Sequence, residues 1–407
     1  MKVPSGLTTQ AEVTGDVSVE CGAVIVGSGA GGATMAAELA EAGVDVVVIE
    51  EGGYHPTSSF RAESVRALRT LYRDGGGGMT LGRPSVLFAE GRCVGGSTVI
   101  NGGMSWRTPG RVLEQWSTQE DVQAISEQDM EPFFARAEAR HSVGWQDPET
   151  IGRDSELLKA GAEARAGLRS ASGQLGRNLS LHPNANVTAF FDSDVTGWHG
   201  VHQAFQVWEF MSEGLILTVE NLPPPMLAAM LPAHGRELGE LMADYNRVVT
   251  GGPLVADSGN GRVRSVPGLG TQVFYRLTDA TAARLVRGVE LTAEALFTAG
   301  ARRVLLPFDG APEVRGPEQL RNLLARPVSG RSIRVYSIHL MGTARMSEDP
   351  RRGVTDSYGA VHGVPRLFVT DASLFPGPTG INPMETVIAV SMRNAHRLLE
   401  RRDRYGI

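Results

Sequence analysis

Two polar side chains toward the end of the sequence have types and surroundings suited to chemistry. His339 lies in "SIHLMGTARMSEDP", shortly before a Met-Gly-Thr run. That small-residue turn leaves room for an imidazole to point into a cavity. Asn382 lies forty-three residues later, in "TGINPMET". One histidine among nine is more often structural than catalytic. Asn382 has its own plain explanation: Asn-Pro-Met-Glu reads as a helix start, with Asn382 at the N-cap, Pro383 at N1 and Glu385 at N3. Both readings can hold together, because a helix start beside a bound ring brings partial positive charge to that ring.

The opposite end of the chain offers a place for such a ring's phosphates. In "VIVGSGAGG", residues 24–32, Gly27, Gly29 and Gly32 fit G-x-G-x-x-G. The first glycine makes a tight turn, the second lets backbone approach a pyrophosphate, and the third lets helix and strand pack closely. Ala30 and Gly31 fall in the first turn of the following helix, whose free N–H groups attract phosphate. Glu50 ends the next strand and can bond ribose hydroxyls. Glu51 beside it would repel a 2′-phosphate, which disfavours NADP. The fingerprint alone does not separate NAD from FAD.

The elements that must hold these groups can be read from pattern. Residues 21–27 form a short buried strand, 29–42 a helix closed by Gly43, and "VDVVVIE" a second buried strand, too apolar to alternate. Residues 60–73 look helical, and "DGGGG" and "EGRCVGGSTVINGG" are glycine loops. In the middle, "NVTAFFD", "VHQAFQVWEF" and "LILTVEN" are strand-like. "GRELGELMADYNRVV" is a helix, "PLVADSGNGRVRSV" a hairpin, and "TDATAARLVRGVELTAEALFTAG" a second helix capped by Thr278 or Asp279. The end, from "RLFVTDASLFPG" on, is strand, loop and long amphipathic helix, and its strand is expected to return to the first sheet.

Composition narrows the possibilities. Of 407 residues, 42% are hydrophobic, 21% are charged, and 50 are Gly in clusters that suggest close backbone approach to a ligand. A net charge of −6 makes nucleic acid a poor partner. Two cysteines, Cys21 and Cys93, form no disulfide framework and no zinc site, so no metal is expected. No apolar run approaches the ~20 residues of a membrane span, and the first residues lack a signal peptide's apolar core. A cytoplasmic location is the expectation.

Four stretches together resemble the glucose–methanol–choline (GMC) oxidoreductases, a family of FAD enzymes. They are "VIVGSGAGGATMAAELAEAG…VIEEGG", "GRCVGGSTVINGGMSWR", "HLMGTARMSEDPRRGVTDSYGAVHGVPRLFVTDASLFP" and "GINPMETVIAVSMR", about a third of the chain. "LGRNLSLHPNANVTAFF" and "LPPPMLAAMLP" resemble the long-chain-alcohol branch more weakly. The resemblance implies FAD as cofactor. It implies that Gly95, Gly96, Ser97, Asn101 and Gly102 wrap the flavin and its phosphates, that Asp371 and Ala372 meet the ribityl–pyrophosphate part, and that Asn382–Pro383 face the pyrimidine. His339 and Asn382 fall on the family's active-site pair. A neutral imidazole is a suitable base near neutral pH, and the Asn amide can hold the substrate oxygen while the hydride passes to flavin N5.

The implied fold is α/β: a Rossmann-like FAD-binding domain built from both chain ends, with an α+β substrate domain of antiparallel sheet and helices. The expected division gives 1–115, 160–182 and 335–407 to the FAD-binding domain and 116–159 and 183–334 to the substrate domain. One departure from the family pattern falls near residues 165–175, where "RAGLRSASGQ" stands for a longer stretch of the flavin domain. The leading expectation is FAD-dependent oxidation of an apolar alcohol, the electron acceptor being open. A catalytically impaired flavin-binding remnant and an FAD-containing lyase are the alternatives. His182 is read as packing, and the apolar residues 215–231 as favouring a hydrophobic substrate.

Overall fold

The computed structural model describes residues 6–61, 63–82, 84–144, 179–231, 233–257, 261–266, 270–310 and 312–407. The departure expected near residues 165–175 lies outside them. At the start, strand Ala23–Val26, helix Ala30–Glu41 and parallel strand Val46–Ile49 make one βαβ unit, with Ala23 beside Val46 and Val26 beside Ile49. Gly43, at φ +85°, closes the helix: its N–H bonds Ala40 O and that of Val44 bonds Leu39 O, a left-handed cap that glycine adopts without steric cost.

The return from the far end is made by a helix, not by the strand expected at "RLFVT". Described strand pairing in the first sheet stops at two strands. Helix Met384–Glu400 instead lies along the first helix, where Ala395 and Leu398 bury Met35 and Leu39, with Ala23, Ile25, Val44 and Val46 packed beside them. The opposite sheet face is open. Val26 is 83% and Ile49 55% exposed. Both strands were expected to be buried on two faces, and the described residues cover only one.

The middle block is a six-stranded antiparallel sheet, ordered Glu313–Val314, Arg303–Leu305, Val187–Phe190, Val248–Val255, Leu215–Glu220, Gln206–Val207. Helix Asp279–Thr298 covers it, capped by Thr278, whose side chain accepts from Thr281 N. Leu285, Val289, Leu296, Val249 and Leu217 share the resulting core. Two local expectations change. "PLVADSGNGRVRSV" is not one hairpin: Val248–Val255 belongs to the large sheet, and Arg262–Val266 pairs with Gly270–Phe274. "VHQAFQVWEF" contributes only the two-residue edge strand Gln206–Val207.

Helices Gly110–Glu120 and Glu127–Arg140 pack on the last long helix, with Leu113, Trp116, Met130 and Phe134 against Val387 and Val390. Among the described residues no helix is long and apolar enough to cross a membrane.

This packing buries a charge. Glu385, in the first turn of the last helix, is 2% exposed. Burial first, and then the charge of Glu138, push its pKa up to about 7, although Arg107 opposes them. Arg107 is already held by Glu138 through two hydrogen bonds of 2.6 and 2.7 Å. Between the ordinary carboxylate pKa and 7 the folded chain keeps a proton that the unfolded chain has released, so stability falls as pH rises through that window. Glu385→Gln should therefore raise the denaturant-unfolding free energy at pH 8, by about 3 kcal/mol at most. The gain should fade toward pH 5, and equal gains at both pH values would refute the charge argument.

Candidate active site

The glycine turn is tied to its neighbours by one serine. Ser28 N and Oγ donate to Glu50 Oε2 at 2.9 and 2.7 Å, and Gly95 N donates to Ser28 Oγ at 2.9 Å. Three distant segments thus meet at the mouth of the first helix. Burial works against Glu50's charge, but hydrogen bonds from Ser28 and from Gly52 N outweigh it and hold its pKa below the usual value. Oε2 accepts both Ser28 bonds and Oε1 accepts Gly52 N at 2.8 Å, with the backbone of Glu51 adding a further bond to the carboxylate. Glu51 is less repulsive toward phosphate than expected, because Arg73 and Arg92 pair with it.

The glycines divide by task. Gly27 takes φ +88° for the turn. A Cβ on Gly32 would lie 2.1 Å from Gly27 O, and one on Gly31 would lie 1.5 Å from Thr370 O. Those two sites serve backbone packing. A Cβ on Gly29 would meet nothing within 4 Å, and Gly29 faces a cavity of about 760 Å³. An open space lined by glycine, at the start of a helix whose first N–H groups lack intrahelical acceptors, is what a pyrophosphate needs.

That cavity joins the two ends of the chain. Gly27, Gly29, Ala30, Gly31, Gly32 and Glu50 line it, as do Gly96, Ser97, Asn101, Gly102, Asp371, Ala372 and Pro383. Gly95 does not line it; its part is the bond to Ser28. His339 and Asn382 line it together. Asp371 Oδ1 accepts Ser373 N at 2.8 Å and so caps the turn Ala372–Leu374. Backbone bonds from Gly342, Ala344 and Met346 to Ala372, Ser373 and Leu374 lay the segment after His339 along that turn.

His339 is placed by strand register. Leu340–Met341 pairs antiparallel with Ser180–Leu181, Leu340 opposite Leu181, so His339 faces His182 across the ladder. Their Nδ1 atoms are 3.0 Å apart. His182 is not simple packing, as the sequence suggested. Its Nε2 accepts Gly380 N at 3.2 Å, two residues before Asn382. Burial lowers the pKa of both rings, His339 to about 4. The signal for His182 was the pairing of two short His-bearing segments, visible only once their register is known.

Asn382 is not the helix cap it resembled. The last helix starts at Met384 with Pro383 as N-cap, and no side chain caps it. Asn382 Oδ1 instead accepts Gln206 Nε2 at 3.1 Å. The side chain is thereby held by the substrate-side sheet. Sequence reading also missed His202 and Gln203, which line the same cavity. Burial pushes His202 down to about 4, and its Nδ1 accepts Asn221 N at 3.2 Å. Residues 215–231 do not line the cavity; Leu215, Leu217, Val219, Leu222 and Leu227 are core.

Comparison with known proteins agrees with this geometry. Two family models described as GMC oxidoreductase match residues 68–180 and 260–391, and one described as NAD(P)-binding Rossmann-like domain matches residues 25–74. An uncharacterized GMC-type oxidoreductase of Mycobacterium tuberculosis is 30% identical, over 91% of this chain and 74% of that protein. This chain belongs to the GMC oxidoreductase family. It is an FAD-dependent oxidoreductase with an α/β, Rossmann-like fold, and the open glycine cradle suits that cofactor. A long-chain-alcohol oxidase of Arabidopsis thaliana is 25% identical over 91% of this chain and 66% of its own length. Among solved structures, pyridoxine 4-oxidase from Mesorbium loti shares the fold, at TM-score 0.68, 17% identity, and 94% and 99% coverage of the two chains. The match to the mycobacterial relative spans 469 positions, more than the 407 residues of this chain, so that relative carries residues with no counterpart here.

The two kinds of glycine should respond differently to one methyl group. Gly29→Ala should fold with wild-type stability yet bind FAD at least about tenfold more weakly, because its Cβ enters the cradle. Gly31→Ala should lose stability, by about 1–3 kcal/mol or more, because backbone must move. Flavin titration and denaturant unfolding of both variants check this; a Gly29→Ala protein with unchanged flavin affinity would take Gly29 out of the cradle.

Proposed function

We propose that this chain oxidises an apolar, aliphatic alcohol to the aldehyde or ketone, with Asn382 holding the substrate oxygen and His339 taking the hydroxyl proton. The observation that carries the reading is that both residues line the cavity that begins at the glycine cradle. Met104, Ile338 and Leu340 line it too, which suits an apolar chain, and the long-chain-alcohol oxidases of Arabidopsis are among the relatives. Bound FAD would supply the acceptor for the α-hydride and its two electrons. The cradle residues named above would hold its phosphates, and Asn382–Pro383 would border its ring.

The proton needs explicit placement. A backbone N–H can only donate, so His182 Nε2, bonded by Gly380 N, carries no proton when the ring is neutral. His182 then carries its proton on Nδ1, toward His339 Nδ1. His339 in turn keeps its own on Nε2. Uptake at Nε2 requires the pair to exchange tautomers first, which leaves Gly380 N–H unpaired. That costs about 1–3 kcal/mol, one to two orders of magnitude in reactive population. It is small beside the ~8 kcal/mol or more that enzymes remove from a barrier. The low pKa of His339 keeps the ring neutral at pH 7, and only the exchanged tautomer can accept at Nε2.

A second reading has an observation behind it. The exposed sheet face at Val24, Val26 and Ile49, the last two at the cavity itself, favours a flavin-binding remnant with a weakened adenosine half. Flavin content of the purified protein, followed by anaerobic alcohol addition, separates the two. Bound flavin bleached by a long-chain alcohol supports the oxidation, and flavin that stays oxidised supports the remnant. His339→Ala should keep its flavin and lose alcohol-driven flavin reduction by about 10²–10⁴-fold. Undiminished reduction would remove His339 from the role.

A further inference from the structure

A chain of hydrogen bonds that ends on Asn382 in the cavity wall has a direction that can be read from its other end. An indole N–H donates and cannot accept. Trp208 Nε1 donates to Gln206 Oε1 at 3.0 Å, with the Trp208 ring held edge-on to Trp106 at 4.6 Å between centroids. The Gln206 amide is thereby oriented: Oε1 faces Trp208, and Nε2 faces the other way with two hydrogens. Nε2 reaches Asn382 Oδ1 at 3.1 Å and Gln203 Oε1 at 3.4 Å. Both partners must present oxygen to it. Asn382 Oδ1 therefore faces Gln206, and its Nδ2 hydrogens are turned toward the cavity that Asn382 lines.

We propose that Gln206, oriented by Trp208, is a positioning residue that turns Asn382 so that its amide N–H donates to the substrate oxygen. This rests on the reading of Asn382 as the group that holds that oxygen. The polarity matters because the oxygen changes character during oxidation. A hydroxyl can donate and accept, whereas the carbonyl it becomes can only accept. An N–H aimed at that oxygen suits the product side and the path toward it. A reversed Asn382 would set oxygen lone pairs against each other. Gln206 sits on the edge strand of the large sheet, paired with Thr218, so the sheet itself anchors the polarity.

Two substitutions at one position test this in the flavin-loaded protein at pH 8. Gln206→Glu keeps the shape but replaces the N–H donor with a carboxylate, so Asn382 must turn its N–H toward it and show Oδ1 to the cavity. Gln206→Met removes the donor and leaves Asn382 free. Binding of 2-octanone, which only accepts, is read by flavin absorbance, alongside kcat and KM for 1-octanol. Ketone binding should weaken about tenfold or more in Gln206→Glu and about threefold in Gln206→Met, with kcat falling in the same order and flavin content unchanged. Trp208→Phe, which frees Gln206 to turn over, should resemble Gln206→Met. A mere packing role predicts the opposite order, because Glu copies Gln in shape better than Met does. Wild-type ketone affinity in Gln206→Glu, a worse defect in Gln206→Met, or no ketone binding to the wild type would overturn the proposal. A wild-type flavin that binds ketone but is bleached by no alcohol would remove the alcohol reading while the binding order still decides the polarity. Octanol turnover with an unaffected Gln206→Glu would remove the polarity and leave the alcohol reading standing.

Discussion

The site depends on one close backbone approach. The first turn of helix Ala30–Glu41 lies against Thr370 with no room for a side chain, since a Cβ on Gly31 would fall 1.5 Å from Thr370 O. Residues more than three hundred positions apart thus meet without an intervening layer. The contact sets the distance between the glycine-lined helix start and the turn after Asp371. The long C-terminal helix then holds the approach by lying along the first helix, Leu398 and Ala395 over Leu39 and Met35. Packing energy far from the cavity therefore defines the cavity's width.

At the other end the geometry is set by donors that cannot reverse. Gly380 N–H directs the His182–His339 pair, and Trp208 Nε1–H directs Gln206 and through it Asn382. Hydroxyls and imidazoles adapt to either role, whereas a backbone amide and an indole do not. Each chain ends on one of the two side chains of the site. At the buried Gly380–His182 end the cost of wrong polarity is an unpaired group, about 1–3 kcal/mol, and at the exposed Trp208 end it is smaller. Two anchors of this kind suffice to make the site's hydrogen-bond pattern nearly single-valued before any ligand arrives.

What was legible in the sequence follows from the range of the interactions involved. The glycine fingerprint, Glu50, the cap at Gly43 and Thr278, and the long helices are local patterns, and they stand where the spacing put them. The glycine turn and the pair His339 and Asn382, singled out in the four family-like stretches, line one cavity. Asn382 as a cap was a local reading overruled by a distant partner, Gln206. His182 could not be told from a packed histidine because its meaning lies in a register between residues 157 positions apart. The returning strand at "RLFVT" and full burial of the first two strands failed together. Both assumed a wider parallel sheet than the described residues form.

The narrow sheet bears on how a flavin dinucleotide would be held. Its binding can be divided between a pyrophosphate gripped by backbone N–H groups, a ring enclosed by the C-terminal segments, and an adenosine resting near Glu50. The first two grips are built from loops fastened by Ser28, Gly95 and the ladder from Gly342 to Met346. The third leans on strand ends, Val26 and Ile49, that line the cavity and are exposed in it, with Val24 exposed on the same face. Backbone cradles keep their geometry because packing behind them is dense. An edge with apolar side chains in water is prone to associate and gives up such surface readily. Affinity would then come mainly from the phosphate and ring portions, and the adenosine would add less than a fully covered sheet allows. Such a balance leaves the arrangement of His339 and Asn382 intact while it makes retention of the cofactor the weaker link.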